Sequence, residues 1–421
     1  MITTIEILPG ITLRCYPDHR FKQSCLSFSM IRPMCAEEAA LNALIPAVLL
    51  RGTQAHPDLQ TITWKLDDLY GASLSTQVRR VGDYQTTGLY CAFLEDRFAM
   101  TGDEILAPMV DFLRELLLEP ALEDGIFRTD YVESEKKNLI STIESELNDK
   151  RAYSMSQLLR TMCKADSYGI PRLGDKESVS AITPKDAYGH YQKCLRESPI
   201  HLFYVGSAPA ESVANLLKPL FASIDRNCID LPGQTPFRDA GGCHVTEEMD
   251  VAQGKLCMGY VTPITNRDAE FVAMQVMNTI FGAGMTSKLF QNVREKMSLC
   301  YAIGSGYYGS KGILTVSAGI DFDKEELTRQ EVARQLDAMQ QGHITDEELT
   351  AAKEALLSSL RSTHDSPGSI EGYYATAALS GLKLTPDTYM DAVRTVTKDQ
   401  VAAASRTLQP HTTYFLKGVT R

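Results

Sequence analysis

Strand-like alternation and helical periodicity each occur twice along this chain, in the same order. Cys25-Leu-Ser-Phe-Ser-Met-Ile-Arg-Pro33 and Leu256-Cys-Met-Gly-Tyr-Val-Thr-Pro263 are strand-like runs that end at proline. Each precedes an acidic helix start, at Glu37-Glu38 and at Asp268-Ala-Glu270. Later in each half comes a capped helix. Thr183 and Thr397 occupy N-cap positions, and Asp186 and Gln400 stand three residues on, as a capping box requires. Pro184 takes the first helical position, where its missing N–H costs nothing. The helices lead into apolar runs that end at Gly206 and Gly418. Thr183 and Thr397 are 214 residues apart, about half of the 421-residue chain. Two correspondences in the same order, with Pro33 and Pro263 set 230 residues apart and the threonines 214, predict a duplication.

Other periodic segments fill in each half. Phe127, Tyr131, Leu139, Ile143 and Leu147 repeat at multiples of four and predict one face of a long helix. Thr101 with Glu104 predicts a cap for Ile105–Leu118, and Thr345 with Glu348 a cap for Asp346–Arg361. Pro232, Gly233, Pro236, Gly241 and Gly242 make 229–243 a linker. The predicted organisation is therefore an N-terminal half, 1–228, the linker 229–243 and a C-terminal half, 244–421. The predicted fold class is α+β: two homologous halves, each a mostly antiparallel sheet covered by long helices.

Composition narrows the function. Hydrophobic content of 44% and charged content of 23% belong to a globular protein. The net charge of −11 argues against nucleic acid or an anionic membrane surface as partner. No apolar run reaches the roughly 20 residues that span a bilayer, and the N-terminus carries no signal-peptide pattern. The expected location is cytoplasmic. Ten cysteines are scattered without a C-x-x-C pair, which reads as reduced thiols.

Two motifs fail on context. Gly304-Ser-Gly306-Tyr-Tyr-Gly309 fits G-x-G-x-x-G, but the strand-like Gly312–Gly319 follows it instead of a helix, so the glycines read as a hairpin turn. No two of the eight histidines lie three to five residues apart, so no local helical pair offers a zinc site.

A family resemblance rests on four segments. Ala39–Thr53 resembles the zinc helix of the pitrilysin/insulinase peptidases, which carries H-x-x-E-H and runs into Gly-Thr. Aligned on Gly52-Thr53, the first histidine falls on Ala43, the catalytic glutamate on Pro46 and the second histidine on Ala47. The third zinc ligand of the family, a glutamate in E-x-E-[KR], corresponds to Glu133 of Glu133-Ser-Glu135-Lys136. Phe281–Tyr301 is similar to the glycine-rich turn, Ser-x-Leu-Phe run and R-E-x-x-x-L-x-Y segment of the family. Gly71–Val78 matches the edge strand that pairs with substrate, with Ser75-Thr76 in place of the usual Asn-Ala.

The resemblance implies a clamshell of two halves. It also implies a degenerate zinc site at Ala43, Pro46, Ala47 and Glu133, with no metal or other cofactor bound by this chain. Arg294 would bind substrate carbonyls and Tyr301 would stabilise the oxyanion, in trans to the zinc of an H-x-x-E-H paralogue. The implied partners are that zinc-bearing paralogue and a peptide, met in part at Ser75 and Thr76. The wording of Leu44–Thr53 is similar to the zinc-less member of a pair linked to 5-aminopentanol modification of elongation factor P. Two other roles stay open: a structural or assembly subunit, and a stand-alone peptide-binding module.

Overall fold

The computed structural model describes residues 2–419 apart from 101, 147 and 240. The strands are β1 (Thr3–Leu8), β2 (Ile11–Pro17), β3 (Gln23–Pro33), β4 (Ser73–Val81), β5 (Tyr84–Leu94), the short hairpin β6 (Leu122–Glu123) and β7 (Ile126–Phe127), β8 (Ile200–Gly206), β9 (His244–Met249), β10 (Gly254–Val261), β11 (Cys300–Tyr308), β12 (Ile313–Ile320) and β13 (Gln409–Gly418). One sheet has the order β1-β2-β8-β3-β5-β4 and the other β11-β12-β10-β13-β9. Read from its far end, the second sheet repeats the first strand for strand, lacking only a counterpart of β1. Each sheet is antiparallel except for one pair, β2 with β8 and β13 with β9. The duplication in the amino-acid pattern is thus a duplication of topology.

The caps explain where the helices begin. Thr183, Thr345 and Thr397 each accept a bond from the third helical residue, and each box is reciprocal. The second of these helices runs Asp346–Ser362. Thr101 lies outside the described residues. The Leu106–Leu118 helix is held at its start by Asp96, whose Oδ1 accepts from Ile105 N at 2.9 Å and Leu106 N at 3.0 Å. The predicted long helix is Thr129–Ser145. Tyr131, Leu139 and Ile143 pack from it onto the core, Phe127 falls in β7, and Leu147 lies outside the described residues. Among the described residues between Ala222 and His244 there is no helix or strand. Gly304 and Gly306 lie within β11, and the hairpin turn takes Gly309 and Gly312, the latter at φ +67°.

The compact units follow the linear halves except at two segments. The first unit comprises Met1–Glu144, Pro171–Gly233 and His364–Thr376; the second comprises Ser145–Ile170, Gln234–Thr363 and Ala377–Arg421. Each unit therefore contains a piece of the other half. In the first, one sheet face buries Leu13, Leu26, Phe28, Leu89 and Leu202 together with Phe112 and Leu217 of the Leu106–Leu118 and Ala210–Ala222 helices. On the opposite face, Ile370 and Tyr374 of helix Pro367–Ser380 pack on Cys25, Phe203 and Val205. Glu371 of that helix is 1% exposed and bonds Ser27 Oγ and Arg79 Nη2, both at 2.8 Å. In the second unit, helix Lys150–Met162 packs Leu158 on Cys257, Tyr414 and Leu416. Asp166 of the same segment pairs with the fully buried Lys311 at 2.9 Å. Each transferred segment is tied to its unit by an ion pair with one buried member.

Candidate functional site

Ala43, Pro46 and Ala47 lie on helix Ala36–Leu49. Ala43 and Pro46 are buried, and none of the three offers a donor atom to a metal. Pro46 lies inside the helix and lacks the N–H that would bond the Asn42 carbonyl. The neighbouring position holds the polar chemistry instead. Asn42, 1% exposed, bonds His190 Nε2 at 2.8 Å through Oδ1, and its Nδ2 donates to Gln85 at 2.9 Å. Burial pushes the His190 imidazole below its ordinary pKa, which keeps it neutral in this network. After the helix, a Cβ at Gly52 would lie 2.6 Å from the Pro57 carbonyl, so the turn demands glycine.

Glu133 does not point to a metal site. Its Oε1 accepts from Lys136 Nζ at 2.8 Å, and its side chain is 47% exposed. Lys136 also donates to the Ile182 carbonyl at 2.8 Å. Glu135 forms an ion pair with Arg51 Nε, and Ser134 Oγ accepts from Arg51 Nη2 at 2.8 Å. The E-x-E-K run thus fastens its helix to neighbouring segments. Among the described residues, no three His, Cys, Asp or Glu side chains come together to hold a metal ion. The residues present do not fit the zinc of the family.

Arg294 and Tyr301 lie on a segment with three departures from regular structure. Leu289–Lys296 is a π-helix, a rare form that tends to occur at functional sites. Ser298 follows at φ +51°, a left-handed conformation uncommon for a residue with a Cβ. Then Cys300 opposes Ile320 and Ala302 opposes Gly319, which leaves Tyr301 as the bulged residue of β11. A bulge re-aims its side chain. Tyr301 is 63% exposed, on an edge strand, and its hydroxyl donates to Asp321 Oδ1 at 3.2 Å. The Lys324 ammonium, 2.9 Å from Asp321, holds that carboxyl below its usual pKa. The Arg294 guanidinium lies 4.6 Å from the Phe290 ring centroid and 3.5 Å from Glu295.

The preceding turn is fixed as firmly. Ser305 Oγ donates to Asn278 Oδ1 at 2.7 Å, and a Cβ at Gly282 would lie 2.6 Å from that hydroxyl. Ser287 Oγ donates to the Gly284 carbonyl at 2.6 Å, and Lys288 pairs with Glu348 at 2.7 Å. Ser75 and Thr76 are exposed on β4, the edge of the first sheet, opposite Tyr90 and Leu89. Ala43, Pro46, Ala47, Ser75, Thr76 and Glu133 belong to the first unit, and Arg294 and Tyr301 to the second. Sequence reasoning missed Asp321, which stands 20 residues from Tyr301 and meets it only through strand pairing. It also missed the π-helix and the bulge, which no residue type announces.

The family description "Peptidase M16 inactive domain" matches residues 181–356. A Bacillus subtilis protein named "Probable inactive metalloprotease YmfF" is 31% identical over 97% of this chain and 96% of its own. The crystal structure of a conserved protein from Enterococcus faecalis V583 superposes with a TM-score of 0.93 at 25% identity, covering 100% of this chain and 99% of that one. A peptidase M16 inactive domain from Pseudomonas fluorescens shares the fold, with a TM-score of 0.83 at 18% identity over 100% of this chain and 98% of its own. With the duplicated α+β topology intact and a relative 31% identical along nearly its whole length, the chain belongs to the peptidase M16 inactive-domain family.

Proposed function

We propose that this chain is a non-catalytic M16 subunit that presents Arg294 and Tyr301 to a peptide bound at the zinc of an H-x-x-E-H family member. The observation that carries this reading is the strained segment 289–301. Its π-helix, left-handed Ser298 and bulge leave an exposed phenol and a half-buried guanidinium next to one edge strand. Irregular backbone costs on the order of 1–3 kcal/mol per position and clusters at functional sites. In this role the Arg294 fork binds a substrate carbonyl, and Tyr301 transfers its hydrogen bond from Asp321 to the developing oxyanion. The exposed edge at Ser75 and Thr76 offers unpaired backbone groups for strand addition by the peptide. Zinc, on the partner, would supply the activated water.

The test is reconstitution. The chain is mixed with a zinc-bearing paralogue, and peptide cleavage is measured for wild type, Tyr301→Phe and Arg294→Ala. Loss of turnover with retained complex formation supports the proposal; full activity in both variants overturns it. A second reading, an assembly subunit, draws on the local partners of both groups: Tyr301 already bonds Asp321, and Arg294 already stacks on Phe290. The link to elongation factor P modification rests on the wording of Leu44–Thr53 alone. Its test is whether deleting this gene alters that modification.

A further inference from the structure

The face of the first sheet that carries the transferred helix is partly exposed in its interior at Ser29 and His201. From Ser24 to Arg32 every residue of β3 is buried except Ser29, and every residue of β8 is buried except His201. Ser29 and His201 are direct cross-strand partners, and Thr12 of β2 is the partner of His201 on its other side. Arg14, two residues beyond Thr12, pairs in register with Phe203, so it shares this face. Phe203 and Tyr16 stack against Tyr374 of the transferred helix, at centroid distances of 6.1 and 5.7 Å, and form an aromatic wall.

The four polar side chains of this opening are unspent. Among the described residues, those of Thr12, Arg14, Ser29 and His201 have no hydrogen-bond or ion-pair partner. A half-buried guanidinium without an anion is an unusual arrangement, because each other internal arginine of this unit is paired or bonded, as Arg32 is to Glu38 and Arg79 to Glu371. His201 contributes no second charge. Burial, and then the charge of Arg14, push its imidazole down to about 3. The opening therefore holds one cation beside hydroxyl and imidazole donors.

We infer that Arg14, with His201, Ser29 and Thr12 around it, is a carboxylate-binding subsite on the sheet face of the first unit. One positive charge fits a monoanion better than a phosphate dianion, and the planar fork of arginine matches the two oxygens of a carboxylate. The site rests on the peptide reading above only for the molecule that carries the carboxylate, which is either a peptide C-terminus or an acidic side chain.

The experiment is calorimetric titration of the full chain alone, so it needs no zinc and no partner. The probe is an Ala-Ala-Glu-Ala-Ala peptide in four forms: free acid, C-terminal amide, glutamine in place of glutamate, and both changes together. The doubly neutral form should bind at least about 10-fold more weakly than the free acid, the value of a charge-assisted hydrogen bond. The two single changes identify which carboxylate is read. Arg14→Met should bring all forms to one affinity, and Arg14→Lys should restore part of the preference. Arg14→Met should unfold at an unchanged or higher temperature, since it removes an unpaired charge; if it does not fold, His201→Asn takes its place. Equal binding of all four forms overturns the subsite and leaves the peptide reading standing. A preference that survives Arg14→Met also overturns it. No binding of any form likewise overturns the subsite, while the reading of a peptide held at the zinc of a partner is decided by reconstitution.

Discussion

Helix Ala36–Leu49 and segment 289–301, two stretches in which the amino-acid order resembles the M16 peptidases, differ in what holds their side chains. In the helix, packing dominates. Ala43 and Pro46 fill buried positions, Asn42 is tied into a buried network, and Glu38 pairs with Arg32 at 2.8 Å. In the segment, the packing is irregular and the polar groups remain exposed. A scaffold can lose its ligands and still bury its apolar face, whereas a bulged tyrosine and a left-handed serine gain nothing from burial. The difference separates residues held by the core from residues left at the surface by an irregular backbone.

The largest expected effect lies in the segment. Tyr301→Phe removes one hydroxyl that is 63% exposed in its residue, so unfolding should be unchanged. In the reconstituted pair, turnover should fall on the order of 10²–10³-fold, as for loss of one oxyanion donor. A fall in denaturation midpoint instead would make Tyr301 a structural residue and erase the contrast.

The helix should respond in stability alone. Pro46→Ala restores an N–H to the helix interior, and relieving an internal proline is worth roughly 3 kcal/mol less the lost ring burial, a gain of about 2 kcal/mol. Urea denaturation of the isolated chain measures it. Unchanged stability would show that Pro46 is accommodated without cost.

Acid should act on the helix start. Burial alone would raise the Glu38 carboxyl, but the bonds from Arg32 and Lys193 bring it down to about 2. A depressed folded-state value contributes stability that is present above the ordinary carboxylate range and is lost as the pH falls from about 5 toward 2. Glu38→Gln should flatten that part of the stability curve, read by denaturation at a series of pH values. A wild-type slope retained in the variant would assign the acid sensitivity elsewhere.

The smallest effect belongs to the backbone. Ser298→Gly should stabilise by about 0.5–1 kcal/mol, because glycine adopts φ +51° freely. Combined with an unchanged fold, this gain would measure the strain held beside Arg294 and Tyr301.

Local physics was legible in the amino-acid order. Thr183, Thr345 and Thr397 cap their helices because a threonine oxygen and a side chain three residues on satisfy the first N–H groups wherever the chain turns helical. The duplication was equally readable, since it depends on residue type and spacing. What required the tertiary structure involves long-range pairing. The transfer of Lys150–Met162 and Pro367–Ser380 between units depends on which apolar face meets which sheet, and Leu158 or Ile370 looks the same in sequence on either. The bulge at Tyr301 is a register shift against β12, and the opening at Ser29 and His201 exists only once β2, β8 and β3 lie side by side. Periodicity tells which residues turn inward; only the folded pairing decides what they find there.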